Sequence, residues 1–117
     1  MSYETYGIPA SGIYTAQVTG TKAEVTDNAK SDVYSMHISN GTAALAYLQV
    51  FDLDADAVTV GTTAPTYAIG VPAGQTVNHV FGKPIIHSTG FTVASTTTRT
   101  GAVSAAQEVT IIYKSAA

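Results

Sequence analysis

Asp32-Val33-Tyr34-Ser35-Met36-His37-Ile38-Ser39 runs directly into Asn40-Gly41. Tyr34, Met36 and Ile38 alternate with Ser35, His37 and Ser39, the two-residue period of a strand with one buried face. Asn40 and Gly41 both tolerate positive φ, so the strand ends in a turn. Beyond it, Ala44 to Phe51 (ALAYLQVF) is apolar on both faces. Its alanines permit a helix, but the run is short for one and Leu48 to Phe51 is β-prone. It therefore reads as a central strand, with its second apolar face in the core or against another subunit.

Working outward, the same pattern recurs in both directions. Toward the N-terminus lie Ile13 to Thr19 (IYTAQVT), closed by Gly20, and a weaker run from Ala23 to Thr26. Toward the C-terminus, Asp52, Asp54 and Asp56 mark a turn, and Val58-Thr59-Val60 suggests a short strand. Pro65 to Val71 puts Tyr67, Ile69 and Val71 on one face. Gln75 to Phe81 groups Val77, His79 and Phe81, is broken at Gly82 and Pro84, and resumes over Ile85 to Ser88. Phe91 to Thr97 alternates again. A Thr/Ser/Gly loop then surrounds Arg99, and Gln107 to Lys114 closes the chain with Val109, Ile111 and Tyr113 on one face. Eight or nine short strands at regular spacing predict an all-β, antiparallel sandwich or barrel. No repeat of fixed length is visible.

Composition narrows the function. A chain of 117 residues suits one domain. We divide it into an extended N-terminal arm, residues 1–11, and a single domain over residues 12–117. The absence of cysteine excludes disulfides and thiolate chemistry, and fits synthesis in a reducing cytosol. Charged residues make up 11% of the chain, against roughly a quarter in an average domain. So little charge suits a surface occupied by partners. Net charge is −3, and the five Lys and Arg residues form no basic stripe, which argues against nucleic acid as a partner. No apolar run is long enough for a membrane-crossing helix, and Met1-Ser2-Tyr3-Glu4 does not read as a signal peptide.

Residues able to carry chemistry are scattered. Asp52, Asp54 and Asp56 alternate like the start of a calcium loop, but the sixth and twelfth positions hold Ala57 and Thr63 in place of Gly and Glu. A solvated acidic turn is the better reading. His37, His79 and His87 match no metal-ligand spacing. There is no Gly-x-Ser-x-Gly elbow, no phosphate loop, and no carboxylate in an apolar setting suited to acid catalysis. No enzyme activity, metal or cofactor is expected.

The order of motifs resembles that of small virion structural proteins of tailed phages, of the capsid decoration or cement type. Ser39-Asn40-Gly41-Thr42-Ala43-Ala44-Leu45-Ala46-Tyr47-Leu48-Gln49-Val50-Phe51-Asp52 is similar to a sheet-crossing strand of those proteins. Pro65 to Gly74, Phe81 with Pro84-Ile85, and Ser88 to Ala94 follow in matching order, before the closing strand Val109 to Tyr113. The resemblance covers about residues 31–114 and leaves the arm outside. It implies a jelly-roll-like sandwich on the capsid exterior, assembled in the host cytoplasm, often as a homotrimer bound to the major capsid protein. Tyr3, Tyr6 and Ile8 of the arm are the expected capsid contacts. Leu45, Tyr47 and Phe51 are the expected subunit interface. The competing readings are a tail, fibre or baseplate component, a carbohydrate-binding module, and a small barrel enzyme with a pocket near His79 and His87.

Overall fold

Because each β-prone run is short and bounded by turn residues, the runs bury their apolar faces by pairing with one another. The computed structural model describes residues 4–5, 8–9, 12–26 and 30–116. Its strands are β1 (Glu4–Thr5), β2 (Ile8–Pro9), β3 (Gly12–Val18), β4 (Ala23–Thr26) and β5 (Lys30–Ser39). They continue with β6 (Ala46–Phe51), β7 (Tyr67–Val71), β8 (Thr76–His87), β9 (Phe91–Thr96) and β10 (Gln107–Ala116). The protein is an all-β sandwich of two antiparallel four-stranded sheets, ordered β3-β10-β5-β8 and β4-β9-β6-β7. The pairings are nested: β6 with β7, β5 with β8, β4 with β9, and β3 with β10. β1 and β2 pair only with each other, Thr5 opposite Ile8.

The core lies between the sheets. Val18, Val33, Met36, Ile38, Val109 and Ile111 enter from the first sheet, and Leu48, Val50, Val71, Phe91 and Val93 from the second. One close approach requires glycine, and a second is relieved only by moving a side chain. A Cβ on Gly90 would fall 2.6 Å from the Leu53 carbonyl carbon, and one on Gly12 would displace the Tyr113 ring that crosses it. The Asn40 turn is held by its side chain: Nδ2 donates to the carbonyls of Ala44 (2.9 Å) and Val71 (2.8 Å), and Oδ1 accepts from Thr42 N–H at 2.9 Å.

Four readings from the sequence are changed or sharpened. β5 carries Tyr34 as an extra residue against β10, where Val33 and Ser35 face the consecutive Tyr113 and Ile112. Val33 therefore joins Met36 and Ile38 in the core and Tyr34 is only half-buried, because a bulge reverses the alternation on either side of itself. β8 is one strand of 12 residues to His87, but its pairing with β5 is broken around Gly82 and Pro84: Ser35 pairs with Val80 and Val33 with Ile85, and the four residues between have no partner. As an edge strand, β8 can carry a proline where no ladder donor is needed. Val58-Thr59-Val60 forms no strand. Val58 anchors a loop after the 3-10 turn Ala55–Ala57, packing with Phe51 and Ala94 in a second small core.

The fourth concerns β6. Its second face is closed by the chain itself. The loop over residues 52–66 covers Phe51, and the loop after β9 covers Gln49, whose Nε2 donates to Thr96 Oγ1 (2.7 Å) and the Gly101 carbonyl (2.9 Å). Phe51 is 0% exposed and so has no surface to offer a second subunit. Tyr47 is half-buried beneath the Arg99 guanidinium, 5.6 Å from its ring centroid, and Leu45 stays exposed at the strand's start.

Candidate functional site

The densest grouping of titratable side chains lies where β8 turns into β9. Continuing the in-out alternation from Ile85 carries His87 into the interior, where it is 1% exposed. Its ring meets Phe91 edge-on at 4.4 Å, and its Nε2 lies 3.0 Å from the Tyr67 hydroxyl. Its Nδ1 is buried without a hydrogen-bond partner among the described residues. Below it, the Asp52 carboxylate accepts from three successive backbone donors: Ser88 at 3.1 Å, Thr89 at 2.9 Å and Gly90 at 3.3 Å. Asp52 is thus a clamp on the β8–β9 turn and not a free member of an acidic triplet.

Burial dominates the electrostatics. It pushes the His87 imidazole below its ordinary pKa, against the opposing pull of the Asp52 charge. It also pushes the Tyr67 phenol well up, with the Asp52 charge adding to the effect. For Asp52 burial acts upward, but the three backbone N–H groups and His87 outweigh it and hold the carboxyl below its usual range. Both His87 and Asp52 are therefore depressed in the folded state. Stability is fully present above the unfolded His value of 6.5 and declines as pH falls through the folded His87 value. A second decline begins below the unfolded Asp value of 3.8. Urea unfolding between pH 8 and pH 3 is expected to show both steps. The double substitution Tyr67→Phe, His87→Leu, which removes both hydrogen-bonding partners together, is expected to abolish the first step and keep the second. Persistence of the first step in that variant would place its origin elsewhere.

The other candidates do not converge. His79 is exposed on β8, stacked at 6.4 Å on Phe81, and His37 is exposed on the outer face of β5. The pocket near His79 and His87 that the competing enzyme reading requires does not form from these two rings, because one is in the core and the other in solvent. Among the described residues, no group of three His, Asp or Glu side chains could hold a metal ion. A shallow depression lined by Gln17, Ser39, Gly41, Thr42, Ala106 and Glu108 has a single carboxylate. Tyr3 and Tyr6 lie outside the described residues, and Ile8 is placed only as a backbone position in β2.

The largest feature is a surface that sequence reading did not single out. Across the outer face of β3-β10-β5-β8, register aligns Ile13, Ile112, Ser35 and Val80 in one row and Thr15, Thr110, His37 and Asn78 in the next. Gln17, Glu108, Ser39 and Thr76 form a third. Ile13 is 70% and Val80 69% exposed. The outer face of the other sheet is folded over by loops at Phe51 and Gln49, whereas among the described residues no loop covers this one. The strand pattern of each run contained the information, but the row forms only when four runs are set in register.

No protein-family model matches the chain, and no curated protein matches it in sequence.

Proposed function

We propose that the protein is a jelly-roll decoration protein of a tailed-phage head, which binds the capsid exterior and stabilises the shell by cross-linking capsid subunits without covalent bonds. The nested strand pairing supports the jelly-roll reading, since two Greek keys wound together give that order. The residues that carry the phage resemblance, Asn40, Asp52 and Gly90 among them, secure turns, so that resemblance speaks to the fold. The observation that carries the function is the bare, weakly charged face, with Glu108 the one charge in its three rows.

The size of that face suggests how it would work. Four strands spaced about 4.8 Å apart and three rows about 7 Å apart give roughly 400 Å², about half of one partner's share in a standard interface. A single contact of this size is weak. Repeated on a lattice by a multivalent assembly, it becomes tight, and binding that favours the assembled shell stabilises it by mass action. The major capsid protein is the partner this reading requires.

Purified protein mixed with heads lacking it is expected to bind to saturation and raise the temperature at which DNA is released. His37→Glu, at the exposed centre of the face, is expected to lower head occupancy at least about tenfold by burying an unpaired charge. Binding to tails and not heads would make the protein a tail component. Binding to a glycan alone would make it a carbohydrate-binding module.

A further inference from the structure

A sandwich of two open sheets has four edge strands, and each exposes unpaired backbone donors and acceptors that can template another chain. Three of the four are blunted. β8 carries Lys83 and Pro84 and a register shift against β5. β4 is four residues long, carries Glu24 and is irregular against β9. β7 is five residues long, is flanked by Pro65 and Pro72, and has the Arg99 guanidinium 3.5 Å from the Ala68 carbonyl. β3 has none of these devices, and among the described residues no strand pairs with its outer edge. Its seven residues, Gly-Ile-Tyr-Thr-Ala-Gln-Val, contain no charge and no proline, and they run in unbroken register with β10.

We infer that the free edge of β3 pairs with β3 of a second copy of this chain, antiparallel about a twofold axis, joining two four-stranded sheets into one of eight. The neutrality of β3 argues for a copy as the occupant. A twofold axis brings a strand against itself, so any charge near its middle would face its own like. Thr15 is the midpoint of β3 and would sit beside the axis. The pairing would also bring the exposed side chain of Ile13 beside the partner strand and continue the bare outer face across both copies. This contact stands independently of the head-binding reading.

Sedimentation of the full chain over a range of concentrations tests it. A concentration-dependent dimer is expected. Thr15→Lys and Thr15→Glu each place like charges across the axis and are expected to weaken the dimer roughly a hundredfold. An equal mixture of the two variants is expected to restore association, a gain that a folding defect could not produce. Asn78→Lys, on the same face but on the opposite edge strand, is expected to leave the dimer unchanged. A wild-type protein that stays monomeric, forms a trimer, or keeps its dimer in Thr15→Lys would overturn the proposal. Equal weakening by Asn78→Lys would do so too, since it would indicate face-to-face packing.

Discussion

Truncating Phe91 to alanine is expected to lower the unfolding free energy by about 4 kcal/mol, the middle of the range for a buried phenylalanine. Phe91 is 0% exposed and belongs to the cluster shared by both sheets. Its ring takes the His87 edge at 4.4 Å and lies perpendicular to Tyr113 at 6.5 Å, the tilted geometry that aromatic pairs favour. Alanine would forfeit both contacts and leave a void where the ends of β8, β9 and β10 meet. Domains of this size have about 5–15 kcal/mol in total, so the variant would be close to unfolding. With a urea slope of about 1–1.5 kcal/mol per molar, the midpoint should fall by about 3 M. Phe91→Leu, which keeps most of the volume, is expected to cost under about 2 kcal/mol. A loss below about 2 kcal/mol for alanine would mean that the site collapses around the gap and that Phe91 does not hold the sheets together.

How much of this was legible in the sequence differs from strand to strand. β10 and β7 were, since alternation there continues without interruption and sets Val109 with Ile111, and Tyr67 with Val71. The bulge in β5 was not, because a one-residue insertion in pairing leaves no mark in a strand's own sequence. It becomes visible only against β10, where Tyr34 has no opposite residue. The same holds for the Asp52 clamp: the carboxylate lies more than thirty residues from the N–H groups it accepts, and nothing near Asp52 announces them. His87 did carry a local signal, as the second residue after Ile85 on an inward-facing parity. His37 sits on a Ser-rich face, and His79, between Val77 and Phe81, carries the same kind of apolar signal although it is exposed. For the bare face, composition revealed the scarcity of charge but not where the remaining charges would fall, and their placement decides whether a surface is a face or a patchwork.

β6 posed the sharpest ambiguity in the sequence, and Gln49 resolves it. Within Ala44 to Phe51 it is the lone polar residue, and it is 0% exposed. Its amide nitrogen ties the loop after β9 down over the second face of the strand through Thr96 Oγ1 and the Gly101 carbonyl. Gln49→Leu keeps the volume and removes those donors. A neutral hydrogen bond is worth about 1 kcal/mol net, and the substitution removes the two that hold the loop. The loop should therefore lose about 2 kcal/mol of local stability, a factor of about 30 in its open population. Arg99 lies in that loop, and the only other tryptic positions are Lys22, Lys30 and Lys114, since Lys83 precedes Pro84 and is not cleaved. Where opening is fast relative to cleavage, tryptic scission after Arg99 should accelerate about thirtyfold while the lysine sites hold their rates as internal standards. Unchanged cleavage would mean that the Arg99–Tyr47 contact and the Thr97–Val103 backbone bond hold the loop without Gln49. Acceleration at Arg99 would mean that one amide keeps the second face of β6 closed within the monomer. The doubly apolar strand would then need no subunit to cover it, and self-association would be left to the free edge of β3.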